Sequence, residues 1–335
     1  MNLAERLAET ALTRPGSDRV RAVTGLARRS ARSRADLFLA EGPQCVREAL
    51  RAHLAGGHGP GPDGSGAPGE RPAPDAPRSR RGGVIDALYV TAAALERHPD
   101  LAQLIERLLE PDDDGSPRAR VFVRLVTDEV LRAMADAETP QGILAVCRIP
   151  HPTWTQVVAG DPQLVAVLCR VQDPGNAGTI LRAADAAGAD AVVLTPGCVD
   201  PYHPKVVRST AGSLFHLPVV TGLEMGALAQ APRLHVLAAD GYAALDLDEL
   251  QDASAAGRPA AFDLARASAW LFGNEAQGLS AAEKDSAEHR IAVPLHGDAE
   301  SLNVGTAATL CLYASARAQR RRTRPRAGTQ AGEQG

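Results

Sequence analysis

The chain has 335 residues, of which 44% are hydrophobic, so it is long enough to form two domains with substantial cores. Aromatic residues contribute only 3%, and the cores must therefore be built mainly from Ala, Val and Leu. The sequence has no secretory signal and no apolar run of about 18 residues, and its five cysteines show no CxxC spacing. These features argue against a membrane span, a disulfide framework and a zinc site, and they favour a cytoplasmic protein.

Arginine clusters near both ends contrast with the net charge of −4. Seven arginines lie between Arg14 and Arg34, opposed only by Asp18, and six lie between Arg317 and Arg326 without an acidic residue. Such clusters can neutralise phosphates and bind RNA in a salt-dependent manner. The alternative is a solvated helix face at the first cluster and a disordered end at the second. The candidate RNA-binding residues of the first cluster are Arg28, Arg29, Arg32 and Arg34.

Residues 1–150 are predicted to form a small α/β domain that begins with a basic helix over residues 17–33. Residues 56–83 hold nine Gly and six Pro but no Leu, Ile, Val, Phe or Met. Such a segment cannot bury enough apolar surface to offset its ordering entropy, so we expect a disordered insertion. The other predicted elements are strands over 36–40, 84–90, 121–126 and 143–149 and helices over 44–54, 92–109 and 128–135.

Pro150-His151-Pro152 marks the predicted boundary to a second domain over residues 151–319, which is followed by a disordered basic tail over 320–335. The strands of this domain are continuous apolar runs, separated mostly by helical segments. This pattern is typical of a parallel sheet covered by helices on both faces. The predicted strands are residues 164–168, 191–194, 234–238, 269–272 and 291–293.

Three polar clusters in the second domain lie where a predicted strand ends or a helix begins, which is where open α/β folds bind ligands. The first is Asn176-Ala177-Gly178-Thr179-Ile180-Leu181-Arg182, introduced by Asp173-Pro174-Gly175. The second is Phe272-Gly273-Asn274-Glu275-Ala276-Gln277-Gly278-Leu279. The third is Val293-Pro294-Leu295, followed by Glu300-Ser301-Leu302-Asn303-Val304.

Each cluster also has a structural interpretation that its residues alone leave open, and for the third cluster this role is compatible with a catalytic one. The structural roles are helix capping by Asn176, a surface ion pair between Arg182 and Asp185, helix capping by Glu275 near Gly278, and capping of a long helix from Val304 by Ser301 and Asn303.

Together and in this order, the three clusters resemble the signature motifs of the SpoU (TrmH) family within the SPOUT superfamily, which are RNA ribose 2′-O-methyltransferases that use S-adenosylmethionine. The resemblance implies a trefoil-knotted α/β fold, in which the segment over about residues 291–317 threads through a loop. It also implies a homodimer whose protomers complete each other's sites. Two stretches look like parts of the family's N-terminal substrate-binding domain, which resembles ribosomal protein L30e: Phe38-Leu39-Ala40-Glu41-Gly42-Pro43 and Thr139-Pro140-Gln141-Gly142-Ile143.

The resemblance makes Arg182 the central catalytic residue, proposed in the family to act as general base once a substrate phosphate engages it. Stabilising a developing alkoxide and clamping a phosphate is physically easier, because a free guanidinium resists deprotonation. Gly305 stands where the family usually has Ser, and we expect this change to loosen the helix start. The implied catalytic residues are Asn176, Arg182, Glu275, Ser301 and Asn303. The implied donor-binding residues are Ala238, Gly273, Val293, Leu295 and Leu302.

The leading hypothesis is therefore methylation of a ribose 2′-OH in RNA with S-adenosylmethionine as donor. The separate N-terminal domain favours ribosomal RNA over transfer RNA, because tRNA members of the family often lack one. A non-catalytic, ribosome-associated RNA-binding protein stays open, and a nucleotide-dependent oxidoreductase is disfavoured by the lack of GxGxxG. Lys205 and Arg208 are candidates for RNA or dimer contacts, against plain surface charge. Nine histidines show no metal-ligand spacing, so no metal is expected.

Overall fold

The computed structural model describes residues 2–56, 83–111 and 121–323. The predicted disordered insertion, apart from its two end residues, and positions 324–335 of the predicted tail lie outside these ranges. Within the described ranges, no group of His, Cys, Asp and Glu side chains is arranged to hold a metal ion. None of the helices in these ranges combines the length and hydrophobicity needed to cross a bilayer.

A four-stranded sheet organises the first part of the chain. Its strands are β1 (Leu37–Glu41), β2 (Ile85–Val90), β3 (Phe122–Leu125) and β4 (Ile143–Arg148). The spatial order is β1-β4-β2-β3, with β4 antiparallel to both neighbours and β2 parallel to β3. Each predicted strand is therefore present, with ends that differ by at most one residue.

Within the described ranges, seven helices surround this sheet. Two of the predicted helices are wrong, because each is broken into two helices. Arg28 is extended (φ −92°, ψ 133°) and separates two helices within the predicted 17–33 segment. Pro99 starts a new helix, because proline disfavours a helical conformation in the residue before it. The helices are α1 (Leu3–Ala8), α2 (Asp18–Gly25), α3 (Arg29–Ala35), α4 (Pro43–Leu54), α5 (Ala92–Arg97), α6 (Pro99–Leu109) and α7 (Asp128–Met134).

A seven-stranded sheet organises the second part, and every pair of neighbouring strands in it is parallel. Its strands are β5 (Leu164–Leu168), β6 (Ala191–Leu194), β7 (Val219–Thr221), β8 (His235–Ala239), β9 (Leu245–Asp246), β10 (Ser268–Phe272) and β11 (His289–Ala292). The spatial order is β7-β6-β5-β10-β8-β11-β9. The central strands β5 and β10 are buried along their whole length, as a sheet covered on both faces requires.

Helices cover this second sheet, and the last of them is its longest. It packs against the helix Pro174–Ala187 and against β10, and the indole Nε1 of Trp270 donates a buried hydrogen bond of 2.9 Å to Ser315 Oγ. The last helix continues to Thr323, so residues 320–323 of the predicted disordered tail are helical, while the domain end at residue 319 stays a prediction. The helices are α8 (Trp154–Ala159), α9 (Pro174–Ala187), α10 (Pro204–Ser209), α11 (Leu247–Ala256), α12 (Ala281–Asp285) and α13 (Val304–Thr323).

The two sheets share one hydrophobic cluster across their junction. The ring of Phe38 in β1 lies 5.1 Å from that of Tyr202 and 6.0 Å from that of Phe215, measured between centroids. Cys45 Sγ lies 3.5 Å from the carbonyl oxygen of Val207, and burial raises the pKa of this thiol to about 11. The junction is therefore a packed apolar contact. The division at residue 150, the L30e likeness and the trefoil knot stay predictions.

Candidate active site

The three polar clusters meet at one edge of the parallel sheet. Chain direction places the carboxyl ends of β5, β10 and β11 at the same edge, and the three clusters follow these strands. The helix α9 starts directly after β5, where the carboxylate of Asp173 accepts a hydrogen bond of 2.8 Å from the backbone N–H of Asn176. Asp173 is thus the N-cap, and the capping role considered for Asn176 is wrong.

Three side chains that are distant in sequence form a hydrogen-bonded row. Asn303 Nδ2 donates to Asn176 Oδ1 over 2.8 Å, and Asn176 Nδ2 donates to Glu275 Oε1 over 3.0 Å. Because the amide of Asn176 uses its donor and acceptor in opposite directions, its orientation is set by both neighbours. We call Asn176, Glu275 and Asn303 the polar row.

Glu275 is held in this row by backbone donors. Its carboxylate accepts from the N–H of Asp173 at 3.3 Å and of Gln172 at 3.5 Å. The helix-capping role considered for Glu275 is wrong, because Ser280 and Glu283 cap α12 instead. Glu275 therefore joins the loop after β10 to the loop after β5.

Asn303 has both of the roles that the sequence left open. Its Oδ1 caps α13 by accepting from the N–H of Gly305 at 2.9 Å and of Thr306 at 3.4 Å, while its Nδ2 reaches Asn176. A Cβ at Gly305 would lie only 2.9 Å from Thr179 Cγ2. Gly305 is buried and the helix start is capped, so the expected loosening is wrong: the missing side chain lets α13 pack closely on α9.

A group of residues that sequence reasoning missed supports the loop after β10. Arg170, just beyond β5, donates to both carboxylate oxygens of Glu283 at 3.0 and 2.7 Å and to the carbonyl of Gly278 at 3.2 Å. The hydrogen bond from Arg170 holds the pKa of Glu283 below its usual value. Asn274 Nδ2 donates to the carbonyl of Arg170 over 2.9 Å. The Ser280-x-x-Glu283 spacing, a capping-box pattern, was the available sequence signal.

Arg182 is exposed and makes no hydrogen bond or ion pair with any other described residue. The surface ion pair considered with Asp185 does not form, because Asp185 binds His216 Nδ1 at 2.8 Å. Arg182 lies on α9, six residues after Asn176, so the same helix carries Arg182 and one member of the polar row. Ser301 is also exposed, without a hydrogen bond in the described part of the chain.

The implied donor-binding residues lie at the ends of three neighbouring strands. Ala238 is beside Leu271 in β10 and Arg290 in β11, so Gly273 and Val293 follow at the same edge. A Cβ at Gly273 would lie 2.3 Å from the carbonyl carbon of Gly278, so only glycine allows this turn. Leu295 is 40% exposed, and Val293 and Leu302 are half-buried. The carboxyl edge of the sheet thus has apolar side chains that are partly exposed. Such a surface suits a planar adenine ring.

The predicted RNA-binding arginines do not all have the same environment. Arg28, Arg29 and Arg34 are exposed, and no described residue pairs with their side chains. Arg32 is wrong as an RNA contact, because it is 1% exposed and donates to Asp200 Oδ2 at 2.5 and 3.1 Å and to the carbonyls of Leu26 and Ala27. Buried pairing leaves none of its charge for a phosphate.

The two basic candidates on α10 also differ. Lys205 is exposed, and its side chain has no partner among the residues that the structure describes. Arg208 Nη1 lies 2.9 Å from Asp136 Oδ2 and 3.4 Å from Glu41 Oε2, so two carboxylates already neutralise its charge. Arg208 therefore links α10 to the first sheet.

Comparison with known proteins supports the family suggested by the motifs. A model of the SpoU rRNA Methylase family matches residues 163–313. The 23S rRNA (guanosine(2553)-2′-O)-methyltransferase RlmP of Bacillus subtilis is 36% identical over 213 residues, which cover 63% of this chain and 80% of that protein. The 23S rRNA (uridine(2479)-2′-O)-methyltransferase of Streptomyces viridochromogenes is 31% identical over 207 residues, which cover 59% of this chain and 70% of that protein.

A solved structure extends the similarity over almost the whole chain. The crystal structure of the SpoU methyltransferase AviRb from Streptomyces viridochromogenes, in complex with the cofactor AdoMet, matches with a TM-score of 0.65 and 25% identity. The match covers 91% of this chain and 100% of that one. The predicted family and α/β fold class are confirmed, and the chain belongs to the SpoU rRNA methylase family.

Proposed function

We propose that this protein transfers a methyl group from S-adenosylmethionine to a ribose 2′-OH in ribosomal RNA. The observation that carries the proposal is the polar row at the carboxyl edge of the parallel sheet, together with Arg182 on the helix of Asn176, which has no partner among the described residues. Two relatives in the same family are named as 23S rRNA 2′-O-methyltransferases, and a structural neighbour binds AdoMet. Because one relative is named for a guanosine and the other for a uridine, the family alone does not specify the base.

The strand ends fit the methyl donor. Val293, Leu295 and Leu302 would provide an apolar surface for the adenine ring, and the partly exposed side chain of Leu295 is apolar surface that a ligand would cover. The turn at Gly273 has no room for a side chain, so glycine lets the backbone at the end of β10 pack against Gly278. When bound, S-adenosylmethionine supplies an electrophilic methyl group on a sulfonium.

Arg182 is the residue best suited to the acceptor side. Its guanidinium has five donors and no partner in the part of the chain that the structure describes, so it can bind a substrate phosphate and the ribose oxygen where negative charge develops. The polar row holds Asn176 in one orientation on the same helix that carries Arg182. This preorganisation places the hydroxyl without reorganising the site during the reaction.

Arg32 gives the RNA-binding proposal a geometric basis. Asp200 lies in the loop after β6, at the same edge of the sheet as the polar row, and Arg32 anchors α3 to it. The exposed residues Arg28, Arg29 and Arg34 on and beside α3 therefore face solvent near this edge. We infer that they bind phosphates of the RNA that enters the site.

The exposed face of α13 supports the proposed homodimer. Leu310 and Tyr313, one turn apart, are 44% and 47% exposed, which is unusual for large apolar side chains on a well-packed helix. If this face is the dimer interface, Leu310→Asp should yield a monomer in sedimentation equilibrium at a protein concentration where the unchanged chain is dimeric. A variant that sediments as a dimer would contradict this interface.

The deciding experiment is transfer of labelled methyl from S-adenosylmethionine to deproteinised 23S rRNA and, separately, to bulk tRNA, followed by alkaline hydrolysis. A 2′-O-methyl group blocks cleavage at the modified nucleotide, so label in an alkali-resistant dinucleotide from 23S rRNA supports the proposal. Label only in tRNA would change the substrate. If the protein neither binds S-adenosylmethionine nor transfers a methyl group, the result would favour a non-catalytic RNA-binding protein.

A further inference from the structure

A cavity of about 390 Å³ lies between the two sheets, away from the polar row. One side is formed by the loop between α7 and β4 and by the start of α4, and the other side is closed by Arg208 and Ala211 after α10. Its apolar walls are the buried side chains of Leu131, Ile143 and Leu144. A cavity of this size at a domain junction, with apolar walls and a few polar groups, has the properties of a ligand site.

Two exposed polar side chains of the cavity have no partner among the described residues. Gln141 and Thr139 line it, and neither side chain makes a hydrogen bond in the described part of the chain. Gln141 lies over Gly42: a Cβ there would be 3.0 Å from Gln141 Oε1, and Gly42 adopts a φ of +85° that favours glycine. The backbone at Gly42 therefore leaves space for the free amide of Gln141.

The carboxylate of Glu41 supplies an acceptor in the same cavity. It is 7% exposed and is fixed by the backbone N–H groups of Asp136 and Ala137, each at 3.0 Å. A carboxylate has about four acceptor positions, and its bonds to these groups and to Arg208 leave one open. Glu41, Thr139 and Gln141 together thus offer acceptors and donors to one occupant.

The charged side chains at the cavity disfavour the binding of a phosphate. Arg208 contributes one positive charge, and its two partners Glu41 and Asp136 contribute two negative charges, so the cluster is net negative. A neutral, planar ligand with N–H donors fits better than an anion. Nucleobases have this chemistry, and RNA-binding proteins bind unstacked bases between apolar walls through hydrogen bonds to their edges.

The cavity is connected to the active site through one short helix. Arg208 lies in the last turn of α10, and Ser209, the last residue of this helix, packs against Gly178 of α9 so closely that a Cβ at Gly178 would lie 2.3 Å from Ser209 Cβ. Gly178 lies between Asn176 and Arg182 on that helix. The cavity and the active site are therefore separated by roughly the thickness of one helix, about 10 Å, which one or two nucleotides can span.

We propose that this cavity binds an unstacked nucleobase of the RNA substrate, a neighbour of the nucleotide that is methylated. The base lies against the apolar wall that includes Leu131 and Leu144, and its polar edge bonds Glu41 and Gln141. This inference rests on the proposed function, because it assumes that RNA occupies the adjacent active site. It makes the cavity a determinant of which sequence is methylated.

The test measures steady-state methylation of in vitro transcribed 23S rRNA by the full-length chain and three variants. Gln141→Ala removes the free amide, Thr139→Trp fills the cavity, and Gln230→Ala is a control at an exposed glutamine outside it. We expect KM for RNA to rise about tenfold in the first two, as for loss of a base contact. The Kd for S-adenosylmethionine and the melting temperature should stay unchanged, and so should every parameter of the control.

An unchanged KM in both cavity variants overturns the proposal while leaving the proposed function intact. Absence of methyl transfer by the unchanged protein instead overturns the proposed function. In that case photo-crosslinking decides on the cavity: 4-thiouridine- and 6-thioguanosine-substituted 23S rRNA should crosslink to the tryptic peptide of residues 133–148, which contains Thr139 and Gln141. Crosslinks confined to other peptides would refute base binding in the cavity.

Discussion

The arginines at the junction between the two sheets and Arg182 at the edge of the parallel sheet differ in whether carboxylates neutralise their charge. At the junction, Arg32 is 1% exposed and fully paired, and Arg208 is matched by two carboxylates. At the edge, Arg182 is exposed and has no partner within the described ranges, and the polar row is partly open to solvent. A charge already neutralised within the fold has little left to offer a substrate, whereas an unpaired one can bind at no loss of protein contacts. The structural arginines therefore differ from the arginine proposed to bind the substrate in whether a carboxylate neutralises them, and not in residue type.

The largest effect is expected for Arg32→Ala at the junction. Removing this guanidinium leaves Asp200, 16% exposed, without its partner and frees two backbone carbonyls, so unfolding should be easier by about 3–5 kcal/mol. Chemical denaturation monitored by circular dichroism measures this change. A loss below about 1 kcal/mol would contradict a structural role, because that is the range of exposed ion pairs.

Arg34→Ala is the matched control on the same helix. Its side chain is exposed and unpaired in the described structure, so stability should change by less than about 0.5 kcal/mol. The affinity for 23S rRNA should fall instead, and the slope of log K against log salt should decrease by about one. An unchanged salt slope would show that Arg34 does not contact a phosphate.

The next effect is expected at the sheet edge, for Arg182→Ala. Losing a donor to developing negative charge should lower kcat for methyl transfer by about 100-fold or more. Stability should not change, because Arg182 has no partner among the described residues. Methyl transfer at saturating donor and the melting temperature are the two measurements, with Arg107→Ala on α6 as an exposed control. Normal kcat in Arg182→Ala would remove the central residue from the mechanism.

A smaller effect is expected at Asn303 in the polar row. This side chain makes one contact that caps α13 and one that orients Asn176. Asn303→Ala should lose the cap of α13, at about 1 kcal/mol of stability, and the bond to Asn176, at about a tenfold loss of kcat. Asn303→Asp keeps the capping oxygen but has no Nδ2 donor. It should therefore keep stability and lose activity, and a fully active Asp variant would show that the bond to Asn176 is dispensable.

Features with a local signal were predictable from the sequence. The apolar runs of β5 and β6 predict their observed bounds, and the three polar clusters predict which strand ends carry the site. The short edge strands β7 and β9, with three and two residues, were missed because so few residues show no periodicity.

Features that depend on a distant partner were not predictable. Arg32 lies in a run of arginines, and only the fold brings Asp200, 168 positions later, next to it. The same holds for Arg170 and Glu283, whose pairing supports the loop of Glu275 across 113 positions. In each case the charge looks free in the sequence, and tertiary structure decides whether it is neutralised. The residue-by-residue match to the family's motifs identified Arg182, but it could not show that Arg182 has no partner.

The smallest predicted effect concerns His216, which joins the two parts of the chain. Its ring binds Asp185 Oδ2 at 2.8 Å and Glu48 Oε2 at 3.3 Å. Partial burial lowers the pKa of His216, but hydrogen bonds and charges from Asp185 and Glu48 outweigh this effect and raise the pKa above its ordinary value of 6.5. The stabilisation from protonated His216 is therefore complete below pH 6.5 and is lost as the pH rises through the raised pKa.

The gain amounts to a fraction of a kcal/mol, because the side chain is 42% exposed and water screens the charges. Unfolding of the unchanged chain and of His216→Gln should differ at acidic pH and converge at alkaline pH. Asp185→Asn removes the carboxylate nearest the ring, so convergence should occur at a lower pH in that background. If the stabilities of the unchanged chain and of His216→Gln still differ at alkaline pH, His216 has a packing role. The positive charge of His216 would then not contribute to stability.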